Sequence, residues 1–332
     1  MKKNWLTNQL NNRHLTMPVL STPTVQIMGI TVKDLILSSD YQAQAIRYLA
    51  QHYPISAAVT IMDLSVEAEC FGAEIRSFDN EVPTVTGILL KTLDDANNLV
   101  VPQVGEKRTQ IYLDTVKKAK ALADIPVFAG VIGPFSLSGR LMGMTEVMMN
   151  CYLEPEMVKT TLEKVSPFIS EYIRAFKANG ADGVIIAEPA AGLLSPELCE
   201  EFSSRYLKQI VNDVKDDGFI VVYHNCGNTI PLVESIVGID ADVYHFGNTI
   251  NLEEMLKLMP KDKIVMGNVD PARVFKNGTP ETVYNTTLSL LEKCHRYENF
   301  VISSGCDIPA GSSWDNINAY FNAIKNFLCQ IK

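Results

Sequence analysis

One histidine and two cysteines carry the chemistry this sequence suggests. The run Phe219-Ile-Val-Val-Tyr-His-Asn-Cys-Gly-Asn-Thr229 starts with apolar, mostly β-branched residues and passes straight into His224, Asn225 and Cys226. Such a run reads as a strand buried on both faces, ending where polar residues take over. Side chains alternate along a strand, so His224 and Cys226, two apart, share a face at its end. An imidazole beside a thiolate is half of a zinc site. A second apolar run, Phe300-Val-Ile-Ser-Ser-Gly-Cys306, also ends on a thiol. Together the two strand ends would offer His224, Cys226 and Cys306 as three ligands with a fourth position open, which marks a catalytic zinc rather than a structural one. The competing reading is a packed histidine and two inert buried thiols.

Other polar residues stand at the ends of predicted strands. Glu188, in Ala187-Glu-Pro-Ala190, is read as a fourth metal ligand, as a partner orienting His224, or as a general base, against a solvated loop carboxylate. Asp63 ends another strand and is assigned a catalytic place in the same pocket. Gly267-Asn-Val-Asp-Pro271 puts Asn268 and Asp270 on one face, where they would meet substrate, unless Asp270 only caps a turn before Pro271. Asn225, between two of the ligands, is also assigned to substrate binding. His245 lies inside a strand and reads as barrel lining. His14, His52 and His295 fall outside strand ends and are given no chemistry. Glycines 133, 139 and 143 fit no phosphate-binding pattern and read as close packing. Methionines 142, 144, 148 and 149 read as helical core.

These residues need elements to position them. Strands are predicted at 18–21, 57–62, 127–133, 183–188, 219–224, 242–247, 263–268 and 300–306, with helices at 31–53, 106–123, 138–150, 155–179, 196–216, 251–259, 280–296 and 314–331. Ser195-Pro196 is a helix start, a capping residue followed by proline. Eight short apolar strands alternating with helices predict a (β/α)8 TIM barrel. A doubly wound open sheet is the alternative, but no Gly-rich dinucleotide fingerprint follows the first strand. The expectation is one barrel domain over 1–332, with a short helical extension at 3–11 and an insertion around 66–105. The strand ends of such a barrel meet at one rim, so Asp63, Glu188, His224, Cys226, Asn268, Asp270 and Cys306 would converge there.

The bulk properties narrow the partners. A 332-residue chain that is 47% hydrophobic can bury a large core. Its net charge of −9, with no basic tract, argues against nucleic acid and anionic membranes. Residues 1–25 carry no signal-peptide core, and no apolar run is long enough to span a bilayer. Seven scattered cysteines, at 70, 151, 199, 226, 294, 306 and 329, then read as reduced thiols of a cytoplasmic protein.

At the level of motifs, Tyr223-His-Asn-Cys-Gly-Asn-Thr229, Gly267-Asn-Val-Asp-Pro-Ala272, Asn277-Gly-Thr-Pro-Glu281 and Ser304-Gly-Cys306 resemble the methylcobamide:coenzyme M methyltransferases, a branch of the uroporphyrinogen decarboxylase superfamily. Ile132-Gly-Pro-Phe-Ser136 and Asp63-Leu-Ser-Val-Glu-Ala-Glu69 are similar to the same branch. The resemblance implies a barrel with Zn2+ held by His224, Cys226 and Cys306. It also implies a small thiol substrate and a methyl-corrinoid donor carried by a partner corrinoid protein, with a homodimer compatible with the family. Glu188 stands where methanol-type relatives have Asp. The decarboxylase itself is the rival within the fold, but it holds its polycarboxylate substrate with an arginine-bearing motif, and the matching stretch, 21–29, has no arginine. A non-catalytic zinc component of a corrinoid complex is the rival outside it.

Overall fold

The computed structural model describes residues 2–11 and 16–330; His14 lies outside them. Seven parallel strands form one sheet in chain order: β1 (Ala58–Val59), β2 (Val127–Ile132), β3 (Gly183–Ala187), β4 (Ile220–Asn225), β5 (Val243–Phe246), β6 (Ile264–Val269) and β7 (Phe300–Ser304). Each is short, rich in Val and Ile, and buried apart from Gly130 and Asn268, as strands covered on both faces must be.

The eighth stave is the segment 16–21. It is extended but forms no ladder: Thr16 makes one parallel bridge to Ile55, and side chains supply the rest. The Ser303 hydroxyl donates to the Met17 carbonyl at 2.7 Å, the Val19 N–H donates to Ser304 Oγ at 3.1 Å, and the Thr16 hydroxyl donates to the Ile302 carbonyl. On the other side the Ser21 hydroxyl donates to the Val59 carbonyl. The segment thus joins β7 to β1 and closes the barrel. The strand predicted at 18–21 is therefore present as a stave, with hydroxyls replacing most of its ladder bonds.

Two apolar layers follow from alternation along the strands. Phe128, Ile185, Ile220, Val222, Val243, Ile264, Met266 and Val301 fill the interior, and Trp5 joins them from the helix Lys2–Asn11. The Trp5 indole donates to the Ser56 carbonyl at 3.0 Å and its ring lies 5.3 Å from that of Phe128. Because Ser56 precedes β1, this helix plugs the end of the barrel opposite the strand termini that carry the candidate site. Val184, Ile186, Val221 and Tyr223 point outward into the larger core between strands and helices.

Several elements differ from expectation in local detail. The helix predicted at 31–53 is two, Val32–Ile36 and Ser39–His52, because the Ser38 side chain caps the second. The insertion carries a small hairpin, Glu74–Arg76 with Thr84–Thr86, and a helix, Leu93–Asn98, started by a Thr92/Asp95 capping box. A short helix, Val233–Gly238, follows β4 where none was predicted.

Phe128 is fully buried between the Trp5 plug and the interior residues, with Gly183 packed against its ring. Phe128→Ala should therefore cost about 3–5 kcal/mol. Urea denaturation would measure it, and a loss under 1 kcal/mol would mean the interior is not packed in this way.

Candidate metal centre

β4 presents Ile220 and Val222 to the interior, so His224 faces inward at its end and Asn225 faces out. The chain then leaves the strand at Cys226. Gly247, just past β5, lies so close that a Cβ there would come within 2.4 Å of the Cys226 Cα, so glycine is what lets the two turns meet. Cys306 follows the end of β7 and reaches the same place. Donor atoms of His224, Cys226 and Cys306 all lie within 4.8 Å of one another, and Cys306 Sγ is 3.6 Å from His224 Nε2. His224 is buried, whereas both cysteines are partly exposed toward the mouth.

The histidine's protonation follows from its other nitrogen. Nδ1 lies 3.2 Å from the carbonyl oxygen of His245, which can only accept, so Nδ1 carries the hydrogen and the Nε2 lone pair faces the thiols. His245 is held neutral, its pKa pushed down to about 3 by burial, and its Nε2–H donates to the Ser304 carbonyl at 2.7 Å. It supports the site and lines the barrel, as its mid-strand position implies. Between the cysteines, a hydrogen bond from Cys306 to Cys226 holds the Cys226 thiol well below its ordinary pKa and pushes that of Cys306 up. The pair titrates as a unit.

The remaining predicted site residues are not brought into this cluster. Glu188 is one residue past Ala187 on β3, whose inward residue is Ile185, so alternation sends its side chain outward. Its carboxylate is fully buried and accepts from the N–H groups of Phe135 (3.0 Å) and Ser136 (2.5 Å), at the start of the helix Pro134–Met142. Gly133 leaves room for it: a Cβ there would sit 2.5 Å from Glu188 Oε2. Glu188 caps a helix, with burial raising its pKa to about 7 against the pull of those donors. Asn225 faces out as well. Its amide donates to the Glu188 carbonyl at 2.7 Å and to the Tyr223 hydroxyl at 3.0 Å and accepts from the Gly227 N–H at 2.8 Å, so it ties two loops together and is fully occupied.

Asp63 is buried in an ion pair with Arg108. It also accepts from the Ser65 N–H at 3.0 Å, and Arg108 reaches on to Glu69 at 2.5 Å. Asn268 donates to the carbonyls of Gly247 (2.9 Å) and Ile250 (3.0 Å), which braces the turn behind Cys226. Asp270 accepts from the N–H groups of Ala272 and Arg273 and from Asn248. Its role is the local cap before Pro271 that the sequence allowed.

Sequence reasoning passed over three residues. Asp307, next to Cys306, accepts from the Thr22 hydroxyl at 3.0 Å while its other oxygen is buried without a partner. Its adjacency to a predicted ligand was the available signal. Arg108 immediately precedes the helix Thr109–Leu122, with no motif around it. Glu67, in Val66–Cys70, places Oε1 3.0 Å from the Ile132 N–H and leaves Oε2 buried and unpartnered.

Comparisons with known proteins agree on the architecture. Residues 17–327 match the uroporphyrinogen decarboxylase (URO-D) family. The chain is 28% identical over 277 residues to a methylcobamide:CoM methyltransferase of Methanosarcina acetivorans, covering 80% of this chain and 78% of that protein. It is 24% identical over 299 residues to a uroporphyrinogen decarboxylase of Coxiella burnetii, covering 83% and 79%. A solved methyltransferase from Methanosarcina mazei superposes with a TM-score of 0.85 at 20% identity, over 98% of this chain and 99% of that one. Among the described residues no helix is long and apolar enough to cross a membrane.

Glu67 offers a test of these surroundings. Burial raises its pKa from 4.5 to about 7, so the folded protein keeps a proton that the unfolded chain releases earlier. The associated stability is full below pH 4.5 and is lost as pH rises through about 7. Relative to Glu67→Gln, the native protein should lose on the order of 2–3 kcal/mol across that range. Urea denaturation of both proteins at pH 5 and pH 8 reads this directly; a difference that does not change with pH contradicts the buried, protonated acid.

Proposed function

This chain belongs to the uroporphyrinogen decarboxylase (URO-D) family, and from that premise we propose that it is a methyltransferase moving a methyl group from a methyl-corrinoid to a small thiol, coenzyme M being the acceptor named for its relative. The observation that carries this reading is the gathering of two thiols and one imidazole lone pair at the barrel mouth. That donor set suits zinc: soft sulfur ligands, a neutral imidazole, and room for a fourth ligand. His224, Cys226 and Cys306 would hold the ion. When bound, zinc would supply Lewis-acid activation, turning a thiol that is mostly protonated at neutral pH into a thiolate.

The chain's own residues supply the rest. The His245 carbonyl keeps the His224 ring in the tautomer that can ligate, and the Ser304 carbonyl keeps His245 from turning away. Two cysteine thiolates add negative charge beside the substrate sulfur, which preserves its nucleophilicity. In the transfer itself the thiolate sulfur bonds to the methyl carbon as the carbon–cobalt bond breaks, its electron pair remaining on the donor's cobalt.

The corrinoid would arrive on a partner protein, since the sequence has no D-x-H-x-x-G cobalt-ligand motif. The distribution of exposed apolar side chains supports a protein partner. Of the fourteen large ones among the described residues, five lie on the insertion after β1 (Ile88, Leu89, Leu93, Val100 and Val101), three on the helix Met144–Leu153 that comes second after β2 (Met149, Tyr152 and Leu153), and Leu193 follows β3. Exposed apolar groups on the segments that succeed three neighbouring strands suit an interaction surface.

A decarboxylase reading has a relative behind it. Its substrate class, a tetrapyrrole with many carboxylates, needs guanidinium partners. The segment 21–29 offers none, and Thr22 within it turns instead to the acid Asp307. A non-catalytic zinc component would predict a closed site indifferent to thiols.

Cys306→Ala should lose zinc and methylcobalamin demethylation together while the barrel stays folded; stoichiometric zinc retained in that variant refutes the ligand set. Zinc X-ray absorption of the native protein should show a new sulfur neighbour when thiol is added, and an unchanged coordination shell would favour the non-catalytic reading. Replacing Tyr152 and Leu153 with Glu should raise KM for a corrinoid protein about tenfold or more and spare free methylcobalamin. Equal effects on both donors would place docking elsewhere.

A further inference from the structure

Met62 brings a thioether into the mouth of the barrel. The far end of the interior is plugged by the helix Lys2–Asn11, whose Trp5 and Leu6 lie against the inner apolar layer. Met62 packs on that same layer from beyond the C-terminal end of β1 and is only half-buried, so its free surface opens at the mouth. A hydroxyl sets its direction. Val59 faces inward, and strict alternation would send Ile61 inward next. Thr60 interrupts the pattern: its N–H donates to the Phe128 carbonyl at 2.9 Å, but its hydroxyl, in place of its carbonyl, accepts from the Gly130 N–H at 2.9 Å. Ile61 then packs with the helices and Met62 turns in.

Gly130 makes the space. It faces inward two residues past Phe128 on β2, and a Cβ on it would collide with the Met62 sulfur. Met62 therefore fills the slot that the glycine leaves. The level of that slot follows from strand pairing. Inward side chains of such a barrel form layers of four from alternate strands, displaced by about one residue per strand. The pairing row of His224 runs through His245 and Met266 to Val301 on β7, yet Cys306, further along, is what meets His224. Layers thus climb from β4 to β7 and descend from β4 to β2. In the other direction the row runs through Ala187 to Ile132, so the layer of His224 takes Gly130 on β2. β1 and β2 stand on the arc opposite the ends of β4 and β7. Across the axis, then, the Met62 thioether faces His224, Cys226 and Cys306.

We propose that Met62 is a specificity-determining residue for the thiol acceptor: its side chain is the wall along which the carbon chain leaving the bound sulfur lies, and it limits the length of that chain. This rests on the methyltransferase reading and names the residue that selects the acceptor by size. An unbranched, polarisable thioether gives dispersion contact to a short chain while occupying the room a longer one would need.

The test uses two neutral thiols, 2-mercaptoethanol and 6-mercaptohexanol, as methyl acceptors from methylcobalamin. In Met62→Ala the ratio of kcat/KM for the long over the short thiol should rise about tenfold or more. Met62→Leu, of similar volume, should keep it within about threefold. Gly130→Ala should lower the ratio when Met62 is present and leave it unchanged in the Met62→Ala background. A ratio that Met62→Ala leaves within about twofold of the native value overturns the proposal. Binding is read separately by NMR of protein carrying carbon-13 in its methionine methyl groups, with circular dichroism confirming that the variants are folded. The Met62 signal, identified by its absence in Met62→Leu, should shift when 2-mercaptoethanol is added to the zinc-loaded protein. A shift without methylation of either thiol supports the wall and sinks the methyltransferase reading alone. An unmoved Met62 signal counts against the proposal whether or not the thiols are methylated.

Discussion

Closing a parallel sheet into a barrel requires that both edge strands find partners, and here the segment 16–21 supplies them. It does so largely through hydroxyls: Thr16 and Ser21 donate outward to β7 and β1, and Ser303 and Ser304 bond back to its main chain. Once the ring is closed, the C-terminal ends of β4 and β7 lie on the same mouth although 80 residues separate Cys226 from Cys306. The cluster of donors depends on that closure. An open sheet in the same strand order would leave β1 and β7 at opposite edges, with no common space for their loops to enclose.

Within the ring, alternation decides which side chain reaches the mouth. His224 falls on the inward set with Ile220 and Val222, while Asn225 and Glu188 fall on the outward set. Outward does not mean idle. Glu188 caps the helix after β2, and Asn225 fastens the loop after β3 to the loop after β4. Gly192 and Gly227 meet there back to back, each so near that a Cβ would fall within 2.8 Å of the other's Cα. These bonds hold the turn that presents Cys226, so the polar residues beside the cluster act on it through the backbone.

Several acids of the rim are spent within the protein. Asp63 and Glu69 share the Arg108 guanidinium under the insertion, and Asp270 is satisfied by backbone N–H groups and Asn248. Buried ions are tolerated when paired in this way.

The sequence alone determined the alternation of strands and helices, the parallel order and the three candidate donor residues, because apolar runs ending in His, Cys and Cys are local patterns with direct chemical meaning. It also contained the Asp270 cap, since an acid two residues before free N–H groups and followed by proline is a local signal as well. Only the tertiary structure decided the roles of Glu188, Asn225 and Asp63. A single-residue offset past Ala187 turns Glu188 to the other face, and Asp63 meets an arginine 45 positions away on a separate segment. Register between neighbouring strands and contacts across loops are set by packing, which no local pattern encodes.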